Sequence, residues 1–217
     1  MKFALRLLLT EAGLAAILFG AAGTWDRPWF WAVIVAHAVL MVYGFRSIDP
    51  ELRRERFRPA PGGEDRNLRW IAAGFLVLHL IVAGLDAGRY GWSPPFPVWL
   101  QALGLIGYVC GGGFSFWAMA RNPFFSPVVR VQRERGHRVI ADGPYRFVRH
   151  PGYAGLLAGC VCGGIALGSW WSLVPIVPII ALFLRRTLLE ERCLKAELEG
   201  YAEYAERVRY RLCPGIW

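Results

Sequence analysis

The chain has 217 residues, of which 55% are hydrophobic and 19% charged, and a formal net charge of +9. Soluble domains are nearer a quarter charged, so the composition argues against a water-soluble domain and for a membrane protein. In that setting the arginine excess reads as topology and contact with anionic membrane lipid, and no nucleic-acid partner is expected.

A helix needs about 20 predominantly apolar residues to cross a bilayer. Residues 3–22 (with Glu11 among them), 29–45, 68–85 and 98–120 meet that requirement. Lys2 and Arg6 precede the first run as they would in a signal peptide. The run is as long as a full span, however, and leads through Ala21-Ala22-Gly23 straight into the next, so a retained span is expected. His37 and His79 lie inside spans, where ionisable groups are functional candidates by default. Neither has polar sequence neighbours, which favours a neutral imidazole hydrogen-bonded across a helix pair. Glu11 is expected close enough to the membrane surface to stay solvated. Gly104, Gly107 and Gly111, followed by Gly112 and Gly113, form a small-residue face that favours close helix packing, with a flat ligand bedded there as the alternative.

Residues 121–151, RNPFFSPVVRVQRERGHRVIADGPYRFVRHP, interleave basic, aromatic, β-branched and turn-forming residues, which predicts an ordered loop. Residues 152–184 are apolar again and long enough for a helical hairpin turning at Gly168-Ser169-Trp170-Trp171. The tail from Arg185 reads as a helix with an apolar stripe at Leu188, Leu189, Cys193, Leu194 and Leu198, and Gly200 as its stop. YAEYAERVRY then predicts an aromatic-basic interfacial helix. The five cysteines fit neither a disulfide framework nor a zinc spacing, and no metal is expected.

The basic residues are clustered. Seven arginines fall in residues 46–69, seven in 121–149, and six with Lys195 in 185–217, leaving only Lys2, Arg6, Arg27 and Arg89. By the positive-inside rule these regions and both termini face the cytoplasm. The predicted fold is therefore all-α: a polytopic membrane protein with four spans, a C-terminal helical hairpin and a cytoplasmic tail helix. It would sit in a membrane of the bacterial inner (plasma) type. Residues 46–67 show no useful periodicity and no role is assigned to them.

Such a hairpin returns distant residues to one membrane surface. Arg146, Arg149, His150 and Tyr153 at its start can meet Arg185, Arg186, Glu190 and Glu191 at its end. Carboxylates and guanidinium groups beside aromatic rings suit a zwitterionic ligand, since Glu can hold an ammonium and Arg a carboxylate.

The ordered set GPYRFVRHPGY, apolar hairpin, RTLLEERCL and GYAEYAERV resembles the isoprenylcysteine carboxyl methyltransferase family and its phospholipid-methylating relatives, over roughly residues 100–217. The resemblance implies two regions: 1–97 as N-terminal spans with a basic loop, and 98–217 as the catalytic membrane region. It implies S-adenosylmethionine as cofactor, bound in a cytoplasm-facing pocket without a Rossmann domain. His137, Arg138, Val139 and Ile140 match the segment lying along the cofactor. Tyr145, Arg149, His150, Pro151, Gly152 and Tyr153 match further contacts, with Glu190 and Glu191 as the acidic pair. Glu190 matches the carboxylate that holds the cofactor's amino group, and Arg186 the residue that orients a carboxylate acceptor. A family position upstream of His137 falls at Arg130 or Gln132. Glu199 departs from the pattern, standing where many relatives have an aromatic.

The expected reaction is methyl transfer to a lipophilic or small carboxylate or thiol acceptor, catalysed by Arg186 and Glu190. One competing reading is a membrane sterol or enone reductase using NADPH, whose 2′-phosphate would meet Arg130, Arg133, Arg135 and Arg138. Another is a non-catalytic lipid-binding membrane protein.

Overall fold

The computed structural model describes residues 2–57, 65 and 67–217. Arg58 and Arg66 of the first basic stretch, and most of the second half of that loop, lie outside the described residues. Among the described residues eight α-helices follow in order: α1 (Lys2–Ala22), α2 (Pro28–Ser47), α3 (Pro50–Phe57), α4 (Leu68–Ala83), α5 (Val98–Arg121), α6 (Pro151–Ala166), α7 (Ile176–Glu197) and α8 (Tyr201–Arg207). A π-helical segment, Gly84–Tyr90, prolongs α4, and there is no strand among the described residues.

The long helices form where the sequence is apolar all round. α1, α2, α4 with its π-helical extension, α5 and α7 are each long and apolar enough to cross a membrane. Their large exposed side chains are hydrocarbon, among them Leu8, Leu9, Val35, Val39, Leu103, Ile106 and Val177. In water a surface of that kind would aggregate; in lipid it is the ordinary outer face of a span. The hairpin differs from the expectation in its proportions. α6 has only 16 residues, about 24 Å of helix, while α7 runs unbroken from the hairpin arm into the predicted tail helix. One rigid rod therefore carries Arg186, Glu190 and Glu191 out of the apolar layer.

Proline at the first helical turn starts α2 and α6, where its missing N–H costs no hydrogen bond. The hairpin turns at the expected site. Gly168 takes φ +74° there, a conformation that strains residues with a Cβ. Beyond it, buried Asp86 accepts hydrogen bonds from the Ser93 amide (2.6 Å) and hydroxyl (2.5 Å) and from the Ser169 hydroxyl (2.6 Å). His79 Nδ1 donates to the Ser172 carbonyl at 2.7 Å, so this histidine fastens α4 to the hairpin turn, as the neutral-imidazole reading expects. His37 also bonds across a helix pair, to Glu11 at 2.8 Å. Glu11 is thus not kept by surface water: it sits at the middle of α1, and the partner on α2 compensates for its burial.

The tightest helix contact is α5 against α6. A Cβ placed on Gly104 would lie 2.5 Å from the Ala166 amide nitrogen, on Gly111 2.7 Å from the Gly155 carbonyl, and on Gly155 2.5 Å from the Gly111 carbonyl. The small-residue face is filled by a neighbouring helix backbone, which leaves no room there for a flat ligand. Gly155→Ala is therefore expected to cost about 1–3 kcal/mol. Gly113→Ala, with nothing within 4 Å of the new methyl, should leave thermal unfolding in detergent unchanged.

Candidate functional site

The loop 121–150, the start of α6, the far end of α7 and α8 meet at one end of the bundle. α5 stops at Asn122, whose side-chain carbonyl accepts from the Phe124 amide (2.9 Å) while its amide donates to Tyr145 Oη (3.1 Å). Gln132 is fully buried and keeps the loop folded: its side chain donates to the Phe124 carbonyl (2.7 Å), and its backbone amide donates to His137 Nδ1 (3.2 Å). That contact fixes the His137 tautomer with the proton on Nε2, and burial lowers its pKa below the usual 6.5. The four residues Gly143–Arg146 form a 3₁₀ turn that buries Pro144 and Tyr145, and burial pushes the Tyr145 phenol pKa up.

Glu191 is the hub of the site. Its side chain is 5% exposed, and Arg149 meets it in fork geometry, Nε to Oε1 at 2.6 Å and Nη2 to Oε2 at 2.9 Å. His150 Nε2 lies 3.1 Å from Oε1, Tyr201 donates to the same oxygen at 2.8 Å, and Arg211 is 3.5 Å from Oε2. The remaining Arg149 nitrogen donates to the Val208 (2.6 Å) and Arg209 (2.9 Å) carbonyls. Burial opposes the Arg149 charge, but Glu191 outweighs it and raises the arginine pKa further. The amides of Arg149 and His150 donate to the Tyr210 and Arg211 carbonyls at 3.0 and 2.9 Å, binding the tail down. Gly200 (φ +76°) makes the corner between α7 and α8.

Glu190 behaves differently. It is 28% exposed against 5% for its neighbour; Tyr153 Oη donates to its Oε2 at 2.6 Å, and His150 Nδ1 lies 4.0 Å from the same oxygen. Tyr153 in turn accepts from Arg186 Nε at 2.7 Å. Arg186 is buried; it pairs with Asp65 and donates to the Pro127 (2.9 Å) and Ser126 (3.1 Å) carbonyls. The His150 and Tyr153 rings stack nearly parallel, 5.6 Å apart.

These segments line an open recess with about 480 Å³ of space between atoms, solvent at the mouth included. His137, Arg138, Val139, Ile140, Tyr145, Arg149, His150, Tyr153 and Glu190 line it, as the sequence predicts. Pro151, Gly152, Glu191 and Arg186 do not. Pro151 and Gly152 start α6 beneath it, Glu191 is spent on Arg149, and Arg186 stands behind Tyr153. Neither Arg130 nor Gln132 reaches the cavity. Six lining residues escape the sequence reading: Asn122, Phe125, Leu194, Leu198, Tyr201 and Tyr204. The last two correct it, because α8 is no interfacial helix. Both tyrosines are buried, and Tyr204 donates to the Tyr145 carbonyl at 2.8 Å. Their three-residue spacing was the available signal. A larger recess at the opposite end, around Arg27, Trp29 and Phe96, holds none of these residues.

Comparison with known proteins converges on the same segments. The phospholipid methyltransferase family model matches residues 99–199. Over that segment the chain is similar to the phospholipid methyltransferase family. Protein-S-isoprenylcysteine O-methyltransferase B of Arabidopsis thaliana is 31% identical over 113 residues, 51% of this chain and 57% of the relative. A probable protein-S-isoprenylcysteine O-methyltransferase of Oryza sativa subsp. indica is 33% identical over 86 residues, 39% and 45% of the two chains. The Schizosaccharomyces pombe protein-S-isoprenylcysteine O-methyltransferase is 25% identical over 107 residues, 48% and 45%. The chain spans about half the length of the curated relatives it matches. The matched family segment contains the cavity wall from Asn122 to Leu198, while Tyr201 and Tyr204 lie beyond it.

Glu191→Gln would leave the buried Arg149 cation without its counter-charge, a change that typically costs about 3–5 kcal/mol. The variant should unfold at lower temperature in detergent and be cut faster by trypsin at Arg207 and Arg209.

Proposed function

We propose that this integral membrane protein transfers a methyl group from S-adenosylmethionine to a lipophilic acceptor at the cytoplasmic face. The observation that carries the reading is the unequal fate of the two adjacent glutamates. Glu191 is neutralised by Arg149, whereas Glu190 opens on the cavity, pairs with no guanidinium among the described residues, has His150 Nδ1 at 4.0 Å and is oriented by Tyr153. A carboxylate with no guanidinium partner, open to a half-enclosed cavity, fits a cation, and the cofactor offers an ammonium and a sulfonium. Glu190 would hold the ammonium, with His137–Ile140 along one wall and His150 and Tyr153 on another. NADPH, with its several phosphates, matches such a wall poorly.

When bound, S-adenosylmethionine supplies a methyl group already activated on sulfur, so the protein needs chiefly to align the acceptor and exclude water. The aromatic and aliphatic wall of Phe125, Leu194, Leu198, Tyr201 and Tyr204 provides the exclusion. The relatives are named for S-isoprenylcysteine, and an acceptor of that kind, a lipid tail ending in a carboxylate, would enter laterally from the bilayer. A carboxylate is ionised at neutral pH and needs no general base to attack a methyl group. Arg186, saturated by Asp65, Tyr153 and two carbonyls, acts here as a positioning residue for Tyr153. The cytoplasmic orientation rests on the arginine-rich segments 46–69, 121–149 and 185–217, whose described parts include α3, the loop before α6 and the end of α7, the elements that surround the site.

Calorimetric titration of S-adenosylhomocysteine into the detergent-purified protein tests the donor. Micromolar binding is expected, weakened roughly 10- to 100-fold in Glu190→Gln by loss of a charge-assisted hydrogen bond. Binding of NADPH in its place would establish the reductase reading; binding of neither would leave a lipid-contacting protein.

A further inference from the structure

The short helix α3, PELRRERF, lies in the loop to which the sequence assigns no role. Its apolar residue Leu52 is fully buried, packed with Ile48 and Met119 against Phe116 and Phe125. Glu51 and Glu55, four apart and so on one face, reach the cofactor loop. Glu51 pairs with Arg135 at 3.0 Å; Glu55 accepts from Ser126 Oγ at 2.9 Å and pairs with Arg130 at 3.2 Å. Both faces of α3 are therefore anchored, and the position of the next residue, Arg56, is set by those anchors.

Arg56 is half-buried, with its guanidinium carbon 5.5 Å from the centroid of the Phe125 ring. That ring lines the donor cavity and packs edge-on against Tyr153 at 5.8 Å. Among the described residues no carboxylate pairs with Arg56 and no carbonyl accepts from it. Burial, together with the neighbouring Arg186 charge, lowers its pKa from the usual arginine value, yet an arginine stays protonated at any physiological pH. A half-buried cation with no counter-charge among the described residues is one that an anionic ligand would stabilise. Arg186, the more obvious anion-binding candidate, has its guanidinium engaged by Asp65, Tyr153 and two backbone carbonyls.

We infer that Arg56 is the acceptor-binding cation: it receives the carboxylate of the lipophilic acceptor on the far side of Phe125 and Tyr153 from Glu190. The assignment rests on the methyltransferase reading above and adds to it the residue that distinguishes an anionic acceptor from an uncharged one. Glu190 and Arg56 then mark the two ends of the site, a carboxylate for the cationic donor and a guanidinium for the anionic acceptor. Transfer would turn the acceptor carboxylate into a neutral methyl ester, which no longer pairs with Arg56, so the same residue favours product release.

The test compares equilibrium binding of an S-prenylated N-acetylcysteine with that of its methyl ester, on detergent-purified protein saturated with S-adenosylhomocysteine. Wild type is expected to prefer the free acid at least tenfold. Arg56→Gln should reduce that preference to within twofold while S-adenosylhomocysteine affinity stays unchanged, and Arg56→Lys should restore part of it. Absence of an acid preference in wild type, or its survival in Arg56→Gln, would overturn the assignment. So would a parallel loss of S-adenosylhomocysteine binding in Arg56→Gln, since Arg56 would then merely hold Phe125 in place. Failure of wild type to bind S-adenosylhomocysteine is a separate result, and it would count against the methyltransferase reading itself.

Discussion

The carboxylate of Glu191 is the point on which the site depends. Four segments distant in sequence converge on it: Arg149 and His150 from the loop before α6, α7 itself, Tyr201 from α8, and Arg211 from the tail. A charge this deeply buried is stabilising only when every lone pair is met, and here the fork from Arg149 and the bonds from His150 and Tyr201 meet them. The same Arg149 then spends its other nitrogen on tail carbonyls. The cavity wall and the C-terminal cover are in this way closed by one ionic knot. Without it α8 would be held against the loop by the packing of Tyr201, Tyr204 and Ala205 and the Tyr204 bond to the Tyr145 carbonyl.

The knot works because α6 and α7 deliver their ends to fixed places. The glycines of α5 and α6 let the two backbones approach to contact, which sets the axis of α6 and with it the position of His150 at its first turn. At the other end of the bundle, Asp86, Ser93, Ser169 and His79 hold the hairpin turn, which sets the origin of α7. Helices fixed at one end and packed along their length are stiff levers. A rod of 22 residues carries Glu190 and Glu191 to the loop with little freedom to wander.

Much of this was legible in the sequence because it is local. Apolar runs predict spans, Gly168-Ser169-Trp170-Trp171 predicts the turn, and the family resemblance picks out residues between His137 and Tyr153 that line the cavity. The misses share a physical cause. Adjacent residues on a helix point about 100° apart, so Glu190 and Glu191 are equivalent in the text and opposite in the fold; only the position of Arg149 separates them. Asp65 and Arg186 are 121 positions apart, and a charge pair at that distance leaves no periodic trace. α8 reads as interfacial because YAEYAERVRY is amphipathic, but the apolar face that predicts lipid contact is the face that packs on Tyr145. Glu11 was expected to rely on water because its partner, His37, lies one helix away.

On the proposed function, the distribution of charge would let a pocket without a nucleotide-binding fold handle both substrates. Arg149 and Glu191 cancel, as do Arg186 and Asp65, and both pairs are buried. They contribute rigidity and no net field. Beside these pairs stand the Glu190 carboxylate and the Arg138 guanidinium on the cavity wall, with Arg56 against Phe125. Tyr153 joins the two sides chemically, donating to Glu190 while accepting from Arg186, so its hydroxyl cannot rotate without breaking one of the two bonds. A cationic donor and an anionic acceptor presented to such a site are drawn to opposite ends and kept from exchanging places. The separation also limits how tightly the acceptor carboxylate can be neutralised, because a half-buried Arg56 beside Arg186 attracts an anion while leaving room for the attacking oxygen to point towards the methyl group. A single buried arginine in full fork contact would bind the acceptor better and blunt its nucleophilicity. Placing the strongest pair behind Tyr153, out of reach of both ligands, keeps the binding energy of the site in groups that can be released after each turnover.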